Sequence, residues 1–202
     1  EQLESYSRYR SALCRLALEQ NAGEAAHHEL LDYLEWAEHR DVFSSILDAC
    51  LLLGRISKPE DRIQWLQRGI DQASRGRVER DLGQAYMELA ACLDQLERVE
   101  EALEAYEKSL GFHEKHGKPR DIVSATWAVG SVCVRLEDWP KAQETLERGQ
   151  RYCRTAEGCD DLLALITADL AHTYEASGDV IEARRQVIAA IRIAREQSLD
   201  GL

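Results

Sequence analysis

Proline appears only three times in 202 residues while Ala, Leu, Glu and Arg abound, so the chain reads as helix with little room for turn-rich β structure. Long apolar runs are missing too. The longest, such as Ala49–Leu53 and Asp161–Ile166 with its leading acid, fall far short of a membrane span, and no stretch resembles a signal peptide. Cations are in deficit: the formal net charge is −12, and affinity for nucleic acid rests on cationic side chains that displace counterions. A phosphate backbone would be repelled on average. The chain starts without Met, inside a helical pattern, and is expected to be a fragment of a longer protein. What is plentiful excludes wholesale disorder, since hydrophobic residues make up 45% and charged residues 31%. The length allows one large domain or two small ones.

The six cysteines (Cys14, Cys50, Cys92, Cys133, Cys153, Cys159) are scattered through a chain of ordinary size. Secreted scaffolds that depend on disulfides are small and cysteine-dense, so these read as reduced, mostly buried thiols of an intracellular protein, cytoplasmic or nuclear.

A repeat organises the sequence. Leu89-Ala-Ala-Cys-Leu93 aligns with Val129-Gly-Ser-Val-Cys133 and Leu170-Ala-His-Thr-Tyr174, and Glu97–Ala102 aligns with Glu137–Ala142 and Gly178–Ala183, at offsets of 40 and then 41 residues. Another step back places Ala49–Leu53 under the first block. Each unit is a pair of helices, because apolar residues recur at three- and four-residue spacing, as in Tyr86, Leu89, Ala90, Leu93 and Leu96, then Ala102, Leu103, Tyr106 and Leu110. Ser57-Lys-Pro-Glu60 reads as a capping box, and Asp138 as an N-cap with proline in the first turn. Gly76, Gly117 and Gly158 fall where second helices should end in the left-handed conformation. Short connections make neighbouring helices antiparallel. Cys50, Ala90, Gly130 and Ala171 share one first-helix position, and Ala102, Ala142 and Ala183 one second-helix position, where large side chains would hold backbones apart. Arg62 takes the latter position in the second unit, which predicts a junction there that is looser or more exposed than the rest.

The pattern, clearest over residues 170–190 with Gly178 at the turn and Ala183 beyond it, resembles the tetratricopeptide repeat (TPR). The 40-residue spacing is similar to that of kinesin light chains, Pins-type polarity adaptors and the sensor arms of some bacterial transcription activators. Six residues beyond the usual 34 lengthen each pair by about 9 Å if all are helical. The resemblance covers roughly residues 41–197, with a degenerate first pair at 3–20 and 23–38. It implies an all-α fold, an α-solenoid of about five antiparallel pairs forming a right-handed superhelix. The expected single domain over 1–202 has units at about 1–40, 41–76, 77–118, 119–158 and 159–202.

In this family the groove is lined mainly by first helices, so the resemblance places function there. The register puts Leu47, Leu51 and Arg55 on that face in the second unit, and Met87, Ala91 and Asp94 in the third. The fourth contributes Trp127, Ser131 and Arg135, and the fifth Ala168 and His172. Leu47, Met87 and Trp127 share one position and would form an apolar stripe flanked by Arg55 and Arg135, the anatomy of a peptide site with apolar anchors and a charged rim. Met87 and Trp127 fit a second placement equally, packed on an adjacent second helix, and the register alone does not choose. Members that clamp chaperone C-terminal carboxylates use Lys and Asn at groove positions held here by Leu51, Ala91, Ser131 and His172. The one asparagine is Asn21, so that role is not expected.

Chemistry is thin. His113-Glu-Lys-His116 puts two imidazoles one turn apart without a pattern that completes a metal site. His27-His28-x-x-x-Asp32 suits a histidine–carboxylate pair on a solvated face, and Cys153 and Cys159 have neither zinc nor redox spacing. No phosphate loop, nucleophile elbow or HExxH occurs. No catalytic residue, metal or cofactor is expected. The chain is expected to be a non-catalytic adaptor that holds an amphipathic partner segment with apolar anchors and some acidic character. The alternative is a ligand- or partner-sensing arm of a signalling or transcription regulator. Self-association through exposed terminal helices is a third expectation.

Overall fold

The computed structural model describes residues 2–19 and 23–199; Asn21 lies outside them. Every described element is helical: α1 (Gln2–Glu19), α2 (Gly23–Glu38), α3 (Phe43–Ile56), α4 (Pro59–Arg75), α5 (Leu82–Gln95), α6 (Val99–His116), α7 (Pro119–Arg135), α8 (Trp139–Cys153), α9 (Asp160–Ala176) and α10 (Val180–Leu199). These ten helices form five sequential pairs, the all-α solenoid architecture expected from the repeat. They fall into two compact units, a first that ends at Arg98 and a second that begins at Val99. No described helix is long and apolar enough to cross a membrane.

Each unit has its own core. Leu30, Tyr33, Ala37, Ile46, Leu52 and Leu53 form one, with Trp36, Phe43 and Trp65 packed against it. Val123, Leu146, Ile166 and Leu170 form the other. The small residues do what the register predicts. Ala102 and Ala142 are fully buried, and a methyl on Gly130 would stand 2.5 Å from Leu146 Cδ2, so α7 and α8 touch at a distance only glycine permits.

Helix ends differ from the sequence reading in three ways. Asp138 accepts from Lys141 N as an N-cap should, but Ser57 does not start α4. Its hydroxyl donates to Leu53 O at 2.7 Å and closes α3 instead. Gly76 caps α4 in right-handed geometry at φ −78°; its lack of a side chain serves a close approach, since a Cβ would stand 2.3 Å from the Phe43 ring. The left-handed residue after α4 is Arg77, at φ +55°. The junction at Arg62 is more exposed than the rest, since Arg62 is half-buried where Ala102 and Ala142 are fully buried, but it is not left untied: Nε donates to Gly54 O at 2.9 Å and joins α4 to the carbonyl end of α3.

The turns after α5, α7 and α9 repeat a single device. Glu97, Glu137 and Gly178 all have positive φ, and the next residue's N–H returns to the carbonyl five residues back: Arg98 to Leu93, Asp138 to Cys133, Asp179 to Tyr174. This is the Schellman closure, for which glycine is the unstrained choice. Two of the three repeats accept left-handed glutamate instead.

Candidate functional site

The helical period turns adjacent residues by about 100°, so one position decides whether a first-helix side chain meets its own pair or the open face. On α3, Leu47 is 1% exposed and packs toward α4, its Cδ1 3.1 Å from where a Gly69 Cβ would be. Leu47 also reaches the floor of the hollow on the open face of the first unit, but the wall belongs to its neighbours. Leu51, Arg55, Ser44 and Asp48 of α3, Ser7, Ser11 and Arg15 of α1, and Gln84 and Glu88 of α5 line a hollow of about 600 Å³ between three successive first helices.

Its wall is polar and cross-bonded. Arg15 donates to Asp48 at 2.7 Å and Arg55 to Glu88 at 2.8 Å, while Gln84 donates to the same Glu88 oxygen. Asp48 and Glu88 lie 40 residues apart, as do Arg15 and Arg55, so one rung is repeated on successive first helices. Beneath it the Ser7 hydroxyl lies 3.1 Å from Tyr33 Oη and 2.6 Å from Ser45 Oγ, and burial pushes the Tyr33 phenol up. Met87 and Asp94 are half-buried and Ala91 is exposed; none of the three lines the hollow.

The second unit carries the same rung with different chemistry. Asp169 of α9 occupies the repeat position of Asp48 and Glu88, and its donor from α7 is the Trp127 indole N–H, 2.9 Å away. Trp127 is therefore half-buried between helices rather than free. Burial pushes the Asp169 carboxyl up, against the hydrogen bonds from Trp127 and Ser131 and the nearby His172. His172 meets the Trp139 ring edge-on at 5.6 Å. The structure thus gathers Trp127, Ser131 and His172 around one half-buried acid that the sequence reading did not single out, although its recurrence at offsets of 81 from Glu88 and 121 from Asp48 marks it. Arg135 is exposed on α7. Ala168 and His172 also border a second hollow of about 630 Å³, between α9 and α10, with Val180, Arg184, Val187 and Ile188.

All six thiols are buried and unpaired. Burial pushes Cys14 and Cys153 up to about 11 and Cys50 to about 12, so these three are protonated at neutral pH and poor nucleophiles. Among the described residues no three His, Cys, Asp or Glu side chains stand close enough to hold a metal. His113 is buried under Gly117, and His28 meets Asp32 at 3.3 Å on the exposed face of α2.

No protein-family model and no curated protein sequence matches the chain. Solved structures do match. A putative kinesin light chain from Podosopora anserina with nearly identical TPR-like repeats superposes at TM-score 0.72 and 18% identity, over 96% of this chain and 97% of that one. The fold is that of TPR-like helical-repeat proteins. BtubC from P. vanneervenii aligns at TM-score 0.74 and 19% identity, over 94% of this chain and 80% of its own. A signal-transduction ATPase with numerous domains from Pyrococcus horikoshii, which has a tetratricopeptide repeat sensor, aligns at TM-score 0.77 and 14% identity, over 94% of this chain but 30% of its own. Helical-repeat folds of this kind are typical of protein–protein interaction scaffolds.

Proposed function

We propose that the chain is a non-catalytic interaction module of the long-period tetratricopeptide type, which holds a segment of a partner protein on its first-helix face. The hollow between α1, α3 and α5 carries this reading. Its side chains are fixed before any ligand arrives, because each of Arg15 and Arg55 is held by one carboxylate and keeps spare guanidinium N–H donors. A partner carboxylate or main-chain carbonyl can take those donors without rearranging the wall, while Leu51 and Ala12 offer apolar contact between them. An amphipathic segment with some acidic residues matches that surface.

The test places a photo-crosslinking side chain at Leu51, in the hollow, or at Tyr152, exposed on α8. A polypeptide adduct from position 51 and not from 152, lost in Arg15→Ala/Arg55→Ala at unchanged thermal stability, is the expected outcome. Equal labelling at both positions refutes the placement. The alignment with a tetratricopeptide repeat sensor favours a second reading, a sensing arm. In that case position 51 captures a small molecule instead of a polypeptide.

A further inference from the structure

The first and last helix pairs each leave an apolar face in solvent. Leu3, Tyr6, Tyr9, Leu13 and Leu16 run along α1, all at least one-third exposed. Val180, Val187, Ile188 and Ile191 run along α10 beside the hollow it shares with α9, and Ile188 is 67% exposed. Exposed faces of this kind mark contact surfaces. The repeat register shows what would meet if one face covered the other.

Second helices of adjacent repeats are tied at one position: Glu38 of α2 to Arg68 of α4 in the first unit, and Glu114 of α6 to Arg148 of α8 in the second. The buried series Ala26, Leu30, Tyr33, Ala37 of α2 matches Ala102, Tyr106, Ser109, His113 of α6 at a constant offset of 76, which fixes the register of α2. The α10 residue equivalent to Glu114 is then Arg195, and the α2 residue equivalent to Arg148 is Asp32. The charges are swapped and again opposite. A second rung behaves alike. Tyr174 of α9 donates to Glu147 of α8 at 2.6 Å; the equivalent of Glu147 on α10 is Ile188, and the equivalent of Tyr174 on α1, which like it stands two residues before its helix ends, is Ala17. Polar meets polar inside the fold, and apolar would meet apolar at the ends.

We propose that the α1–α2 face of one copy of this chain docks on the α9–α10 face of a second copy, with Ala17 against Ile188, Leu13 in the place that buried Leu170 takes on α9, and Asp32 beside Arg195. The contact is heterologous: two different surfaces meet, so each copy keeps one face free and assembly continues past the dimer unless it closes.

Sedimentation of the full chain over a concentration series tests this directly. Wild type should gain mass with concentration. Leu13→Asp, which blocks one face, and Ile188→Asp, which blocks the other, should each be monomeric alone. Mixed, they should form a dimer and nothing larger, because one intact face of each kind remains. Arg195→Asp should weaken assembly, and Arg195→Asp/Asp32→Arg should restore it; both side chains are exposed, so folding is spared. A wild type monomeric throughout, a mixture that stays monomeric, or a charge swap that restores nothing overturns the proposal. An assembly abolished by Ile188→Asp but untouched by Leu13→Asp also overturns it, since that is a like-with-like contact.

Discussion

Asp169 separates two roles that a carboxylate usually confounds, acceptor and charge. As an acceptor it holds the Trp127 indole at 2.9 Å. Asp169→Ala leaves that half-buried N–H without its partner, at a cost of about 1–2 kcal/mol, the low end for an orphaned donor because the ring keeps some access to water. As a charge it is a burden, since burial raises the carboxyl above its ordinary value. Asp169→Asn keeps an oxygen for the indole and removes the charge, so at neutral pH it should be neutral or stabilising. The sign with pH follows. The folded chain holds this proton to higher pH than the unfolded chain does, so the contribution of Asp169 to stability falls as pH rises from the ordinary carboxyl range through the raised value. Below that window wild type and Asp169→Asn should unfold alike, and above it the amide should gain. Denaturant unfolding of the three proteins from acid to neutral pH, with indole fluorescence as the probe, measures each part. Equal losses for Ala and Asn, or a wild type that gains on Asp169→Asn with rising pH, would show that the charge is what the fold uses.

Other substitutions test the packing. Gly130→Ala pushes a methyl into Leu146 and should cost about 1–3 kcal/mol, less the gain of about 1 kcal/mol from helix propensity. The same change at Gly111, where a methyl meets nothing within 4 Å, should stabilise by about 0.5–1 kcal/mol. Thermal melts of opposite shift check the pair. Glu137→Gly relieves a left-handed glutamate and should raise the melting temperature by a few degrees, at about 2–4 °C per kcal/mol for a chain of this size. Arg55→Ala removes an exposed ion pair and should change stability by no more than about 1 kcal/mol. A large loss on calorimetry would mean the rung is structural rather than a ligand-facing wall.

The helix pairs, their boundaries and their small contact residues were legible because a repeat supplies several readings of each position, and burial demands the same size at each. Ala102 and Ala142 are fully buried, and Ala183 nearly so, for one reason. Helix ends were less legible. Ser57 has the chemistry of an N-cap and equally that of a hydroxyl bonding back four residues, and only the backbone at Lys58 decides. Left-handed Glu97 and Glu137 carry no residue signal at all, since the Schellman hydrogen bonds that compensate them are main-chain.

The open face was hardest, and the reason shows where recognition should be sought. A face is fixed only when register is known to one residue, and here adjacent residues split the roles: Leu47, 1% exposed, is core and reaches only the floor of the hollow, while Asp48 stands on its wall. Apolar residues attract the eye as anchors, yet in a stacked helical repeat the largest of them are needed to hold the pairs together. What remains for the open face is the recurring polar rung, Arg15 with Asp48 and Arg55 with Glu88 in the first unit, Trp127 with Asp169 in the second. Each rung joins first helices of adjacent repeats, so a ligand that competes for one of its hydrogen bonds also acts on the packing between those repeats. Binding at the hollow should therefore alter amide exchange in α3 and α5 together, whereas a ligand that touched only one helix would slow exchange in that helix alone.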